Sequence, residues 1–391
     1  MRKLKHIALL VDGCRAYGRG IFRGVAEFAR ERDDWLILPQ ERNLSENLPG
    51  WLQSNRVDGI IAFVPNADFG AGLCQFGVPV VDVCGEGIAD IHAFDSDPEA
   101  ISRLASDFLL RSGFSNFAFC GYPGVFFSDR RQSAFARQLE THGHEVRIYN
   151  MPNGNPDYFL RERSGMEYEP ELQVWLAGLP KPIAVFACND VRGQQIINAC
   201  RESEIDVPGA VAVMGVDNDD MLCELSRPSL SSIEPDTHRI GRAAAELLVQ
   251  LLAGRRVVPE VVNIPPLRVV ERQSTDIVIV DNPVVLRAIR IIRNEACLHL
   301  SITQLCDRLG CSRTTLDFLF LKHLGRTASR EIILVRLNRA ASLLTDTTRP
   351  LNEIAIAIGF PSTAYFCRFF KRETGQTASS FRFTPSPLPR Q

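Results

Sequence analysis

Polar residues of one kind recur in this chain just past apolar runs. Asp97 lies in "FDSDP", Asn189 and Asp190 follow "VFAC", and Asp217 and Asn218 follow "VMGV". Carboxylates and amides bind polyhydroxylated molecules, because each oxygen can accept from adjacent hydroxyls. Open α/β sheets collect ligands at strand ends, which is where these groups fall. Turn-forming Asx residues explain any one such position; their recurrence after several strands favours a pocket. The first apolar run, "HIALLV", leads into "DGCRAYGRGIFRG", where Tyr17 offers an aromatic face and Arg19 a donor to oxygens. Gly20 and Gly24 stand one residue too far apart for the dinucleotide fingerprint.

A second chemistry sits near the other end, in "GFPSTAYFCRFFKRETG". Gly359 permits a turn and Ser362 can cap the helix that follows. On that helix Tyr365, Phe366, Phe369 and Phe370 share one face of a 3.6-residue period. Thr363, Ala364, Cys367, Arg368 and Lys371 form the opposite one, with small residues and positive charge suited to a major groove. About 50 residues upstream "SITQLCDRLGCSRTTLDFLFLKHLG" follows the same plan, so a duplicated helix-turn-helix is predicted. There Ser301 and Gln304 make a capping box, Ser312 caps the second helix, and Leu316, Leu319 and Phe320 form its core stripe. Its outer face holds Arg313, Thr314 and Asp317, with Phe318 and Leu321 beside it. That face is poorer in cations, and Asp317 could accept from cytosine N4, so base reading is weighted towards the second unit. Between the units, "REIILVRLNRAASLL" fits a connecting helix of about 18 residues, roughly 27 Å.

The elements that must position these groups differ between the two regions. From His6 to about Arg272, β-branched runs alternate with amphipathic helical patterns, predicting a mostly parallel α/β fold in two lobes. "STDIVIVDNP" reads as a linker, and beyond it every periodic stretch is helical. The expected domains are therefore residues 1–273, a linker 274–283, and an all-α domain 284–391. Charge divides the same way: residues 1–280 carry 28 Lys and Arg against 38 Asp and Glu, whereas residues 281–391 carry 16 against 8. An acidic body with a basic tail suggests that the tail meets a polyanion.

At these residues two resemblances become specific. "IAIAIGFPSTAYFCRFFKRETGQTASSFR" resembles the signature of the AraC family of transcription regulators over about 284–383. The resemblance implies that Thr363, Ala364 and Arg368 face the groove, with Arg313, Thr314, Asp317 and Phe318 at the matching places of the first unit. The chain departs from that family at Ala328 and Ala378, where proline is usual. "CND", "RRQSAF" and "VAVMGVDNDDMLCELSRPSLSSIEPDTHRIGRAAAELL" resemble the effector domains of the lactose-repressor family and the type I periplasmic sugar-binding fold. That resemblance implies sugar contacts at Arg131, Asp190 and Asp217, and the full-chain pattern implies a pentose-like effector. The usual N-terminal DNA-binding headpiece of that family is not expected here, with the first strand starting at His6.

Other classes lack their signatures. The sequence shows no nucleophile elbow, phosphate loop or zinc motif; "DNDD" at 217–220 reads as a turn, and His142 with His144 has no third ligand nearby. No cofactor, metal or catalysis is expected. No apolar run approaches a membrane span, and the scattered cysteines fit reduced thiols in a cytosol. The expectation is a cytoplasmic, sugar-responsive activator, homodimeric, with double-stranded DNA and RNA polymerase as partners. The same architecture sensing a purine or another metabolite is the alternative.

Overall fold

The computed structural model describes residues 4–41, 48–54, 56–85, 91–151, 169–277 and 282–383. The chain divides into two compact units after Ile277. The first runs β1 (Lys5–Val11), α1 (Ala16–Arg30), β2 (Trp35–Glu41), α2 (Trp51–Ser54), β3 (Gly59–Ala62), α3 (Ala67–Cys74), β4 (Val80–Asp82), β5 (His92–Ser96), α4 (Pro98–Arg111), β6 (Phe117–Cys120), α5 (Phe126–Glu140), β7 (Val146–Ile148), α6 (Pro170–Gly178), β8 (Ile183–Ala187), α7 (Asp190–Glu202), β9 (Val211–Val216), α8 (Asp220–Leu225), β10 (Ser231–Glu234), α9 (Thr237–Leu252), β11 (Val261–Ile264) and β12 (Arg268–Val270).

Its strands form two six-stranded sheets, ordered β11-β5-β4-β3-β1-β2 and β12-β10-β9-β8-β6-β7. The pairs are parallel except β10 with β12. Helices cover both faces, so the inner strands read as continuous apolar runs: β8 is IAVFA and β9 VAVMGV, both fully buried. The chain passes between the sheets after β5, after β10 and after β11, which makes two lobes joined by three crossings.

In the first lobe α1 packs on α9, which returns from the other lobe to cover β3, β4 and β5. The two helices meet backbone to backbone. A Cβ on Gly24 would stand 2.0 Å from the His238 carbonyl oxygen, and one on Gly241 2.3 Å from that of Ile21. The expected boundary at 273 falls inside this unit. Ser274 is fully buried and donates to the Val213 carbonyl at 2.5 Å, and Thr275 donates to Ser231 Oγ at 2.7 Å. Residues 278–281 of the expected linker lie outside the described residues.

The second unit is helical: α10 (Pro283–Glu295), α11 (Ile302–Leu309), α12 (Arg313–Leu324), α13 (Ala328–Asp346), α14 (Leu351–Ala357), α15 (Thr363–Thr374) and α16 (Ala378–Phe383). Two cores fill it. One gathers α10, α11 and α12 around Leu305, Leu316 and Phe320; the other gathers α14, α15 and α16 around Ile354, Phe366, Phe370 and Phe381. The 19-residue α13 serves both, with Ala328 and Ile332 in the first and Leu337, Ala340, Ala341, Leu343 and Leu344 in the second. Arg336, halfway along it, donates to the carbonyls of Ala296 at 2.7 Å and Leu300 at 3.3 Å, and its guanidinium lies 5.6 Å from the Phe360 ring centre. Gly359, at φ +78°, makes the turn before α15 where any Cβ would meet the Cys297 carbonyl at 2.7 Å.

Gly24→Ala should lower the stability of the full chain by about 1–3 kcal/mol through overpacking of α1 on α9. Urea unfolding followed by far-UV circular dichroism measures it; an unchanged midpoint would show that the helices can separate without cost.

Candidate effector cleft and DNA-reading helices

The strand ends of both lobes open into one cleft. From the first lobe come Asp12, Arg15 and Tyr17 past β1, Phe63 past β3, and Asp95 and Ser96 at the end of β5; the second supplies Phe126, Phe127 and Arg131 from α5, Asn189 past β8 and Asp217 past β9. Asp217 occupies the left-handed region at φ +105° and Asn218 at φ +48°. Strained backbone of this kind costs of order 1–3 kcal/mol and concentrates at ligand clamps.

Arg131 is the central group. It is 4% exposed, donates to the Cys188 carbonyl at 2.5 Å and to Ser96 Oγ at 3.3 Å, and stands 4.0 Å from Asp217 Oδ1. Phe127, one helical turn before it, places its ring 5.3 Å below the guanidinium. Burial raises Asp95 to about 6 although Arg131 and Arg130 pull it down. Burial likewise raises Asp82, at the end of β4, to about 7, against three backbone N–H groups of Val64, Gly85 and Cys84. Tyr17 is pushed up by burial and by the Asp95 charge, so its phenol stays neutral and donates to the Val83 carbonyl at 3.4 Å.

Of the eight expected effector residues, Tyr17, Arg131, Asn189 and Asp217 line the cleft. The other four are built into its frame. Asp97 caps α4, accepting from the N–H groups of Glu99 and Ala100; the following Pro98 at the first helical position was the sequence signal for a cap. Asp190 is buried behind the cleft and braces it, accepting from Ser232 Oγ at 2.6 Å and from the Asp219 N–H at 2.7 Å. Burial and the Asp217 charge drive its carboxyl well up. Asn218 Oδ1 accepts from Arg272 at 2.8 Å. Arg19 donates to the Cys14 carbonyl and to Asp219.

Residues that sequence reasoning missed include Asp95, Arg15, Phe126 and Phe127 on the cleft wall, and Asp219. The last is a clasp between lobes: it caps α8, accepts from the Ala16 N–H at 2.7 Å, and pairs with Arg19 at 3.2 Å. Arg130 makes a second crossing, donating to the Gly85 carbonyl at 3.0 Å and lying 3.5 Å from Asp95.

In the second unit α12 and α15 are the equivalent second helices of two helix-turn-helix modules. Each has 12 residues, a serine cap (Ser312, Ser362) and a left-handed terminal glycine (Gly325, Gly375). On α15, Phe366, Phe369 and Phe370 are buried, while Ala364, Arg368 and Lys371 are exposed and Thr363 is half-buried. Tyr365 corrects the expectation of a fourth core aromatic: it is 58% exposed and lies 4.7 Å under the Arg368 guanidinium. Arg313, Thr314 and Phe318 are exposed on α12. Asp317 is turned inward, accepting from the Ala328 N–H at 3.3 Å and facing Arg313 at 3.6 Å, so its carboxylate serves the start of α13.

Residues 106–275 match the model of a periplasmic binding protein-like domain, and residues 305–383 that of a helix-turn-helix domain. The xylose operon regulatory protein of Escherichia coli K12 is 31% identical over 97% of each chain. The chain belongs to the family of xylose operon regulatory proteins. That of Haemophilus influenzae is also 31% identical, over 96% of this chain and 97% of its own. A solved structure of a xylose-binding transcription activator, 29% identical, superposes with a TM-score of 0.75 over 98% of this chain and 99% of that one. As a member of the xylose operon regulatory family the chain is a DNA-binding transcription regulator, not an enzyme.

Asp219→Ala removes a helix cap and both bonds across the lobes, and should cost about 2–4 kcal/mol. Arg19→Ala spares the cap and the Ala16 bond and should cost about 1 kcal/mol or less. Urea midpoints of the full chain rank the two; equal losses would contradict the clasp.

Proposed function

We propose that the cleft binds a pentose, D-xylose being the first candidate, and that the occupied sensor activates transcription through the helix-turn-helix pair. The carrying observation is the convergence of Asp95, Asp217 and Arg131 with the rings of Phe126, Phe127 and Tyr17 between two lobes. Carboxylates accept from hydroxyls, a guanidinium donates to ring and hydroxyl oxygens, and aromatic faces cover the apolar side of a sugar. The similarity to a xylose operon regulatory protein and to a xylose-binding transcription activator supports the choice of sugar. On α15, Thr363, Ala364, Arg368 and Lys371 read the major groove. On α12, Arg313, Thr314 and Phe318 face it. The regulator works in the cytoplasm as a homodimer, which presents its readers to spaced half-sites, and contacts RNA polymerase as an activator.

A calorimetric screen of aldopentoses and aldohexoses against the full chain tests the reading. D-xylose should bind and Asp217→Ala should abolish binding while leaving DNA affinity nearly intact; binding that survives in the variant would remove Asp217 from the site. Affinity should also depend on pH. Burial raises Asp95 to about 6, and hydroxyl donors favour its ionised form, so affinity rises as pH climbs through about 6 and then levels off. Between about pH 5 and pH 8 the gain should approach about tenfold, and Asp95→Asn should flatten it. The stability contribution of Asp95 runs the opposite way. Its folded value lies above the ordinary carboxylate range, so that contribution declines as pH rises from that range through about 6.

A further inference from the structure

The two reader helices align at an offset of 50 residues, from serine cap to terminal glycine. Position by position, Thr314 then matches Ala364, Phe318 matches Arg368, and Leu321 matches Lys371. Where the second helix presents cations, the first presents apolar side chains to solvent: Phe318 is 63% and Leu321 53% exposed. Thr314, Phe318 and Leu321 are spaced i, i+4 and i+7, which makes a stripe along one face of α12 about 10 Å long. That length spans about three base-pair steps. The carboxylate in this neighbourhood, Asp317, is turned to the Ala328 N–H and to Arg313. Exposed Lys322 flanks the stripe at the position of Arg372, keeping a cation at its rim.

Resting on the reading of this unit as a DNA-binding pair, we propose that the first module recognises thymine C5-methyl groups through Phe318 and Leu321, while the second supplies charge through Arg368 and Lys371. The thymine methyl is the apolar group that the major groove displays, and side chains such as phenylalanine contact it. The occupant is favoured by position: the stripe lies on the helix face that its twin module uses for cations, with basic side chains beside it. Division of labour follows, since an apolar stripe gains little from phosphates and a cationic one gains little from methyls.

The test uses the full-length chain and a duplex that it selects from a randomised pool. Thymines in each half are replaced by deoxyuridine, which removes the methyl and keeps the pairing. In the half under the first module, affinity should fall about fourfold for each contacted methyl, the factor for one buried methyl-sized group. Phe318→Ala should lose part of the discrimination, the Phe318→Ala/Leu321→Ala double variant should bind both duplexes alike, and Arg368→Ala should bind more weakly yet keep it all. Equal affinity of the unaltered chain for both duplexes, or a penalty that persists in the Phe318→Ala/Leu321→Ala double variant, would overturn the proposal while leaving DNA binding itself in place. So would a Phe318→Ala chain that binds both duplexes normally but loses activation with purified RNA polymerase, since the stripe would then face the polymerase. Loss of all duplex binding in the unaltered chain is the separate result that would defeat the DNA-binding reading.

Discussion

The Arg131 guanidinium lies almost wholly out of water, and a charge so placed is tolerable only where oxygens surround it. Those oxygens come from both lobes: Ser96 at the end of β5, and the Cys188 carbonyl and Asp217 on the other side. Each is delivered by a strand end, so the parallel topology of both sheets is what brings them together. Asp190 and Asp219 then fix the loop that carries Asp217, the first by accepting the Asp219 N–H and the second by clasping Ala16 and Arg19 across the cleft. The cleft is polar where the lobes meet and aromatic on its wall. A ligand that satisfies Arg131, Asp95 and Asp217 at once must touch both lobes.

The helical unit depends on a different constraint, the sharing of α13 by two cores. One rigid rod about 28 Å long fixes the separation of the two modules. Arg336 ties its middle to the end of α10 and to Phe360, and Glu373 on α15 is paired with Arg330 near its start. Although burial raises Glu373, the bonds from Arg330 and Arg372 hold its carboxyl below the ordinary range. The modules are therefore held as a pair, and sequence differences between α12 and α15 translate into different chemistry at a fixed spacing.

Much of this was legible from periodicity. Buried parallel strands such as β8 and β9 declare themselves as apolar runs, and the serine caps and turn glycines of the helix-turn-helix modules mark their own positions. Less legible were elements whose character is set by tertiary context. β5 reads HAFDS, too polar for a strand by composition, yet it is fully buried because Asp95 and Ser96 serve the cleft. Among site residues, the recurrence of Asx after strands found Asn189 and Asp217 but could not separate a cleft residue from a cap. Asp95 and Asp97 differ by two positions and have different duties, which only the Pro98 cap signal distinguishes. Tyr365 and Asp317 were misplaced for a similar reason: helical periodicity gives a face, whereas a neighbouring guanidinium or an unpaired backbone N–H decides where the side chain turns.

An effector that bridges two lobes favours the arrangement in which both reach it, and a reader on the same chain can respond only through the difference in affinity between arrangements. Such coupling is reciprocal. The most direct measurement is the calorimetric Kd of D-xylose for the full-length chain, alone and saturated with a selected duplex. The account predicts that the two values differ, by the same factor by which xylose changes the Kd for the duplex. Identical values, or no xylose binding in either state, would contradict it.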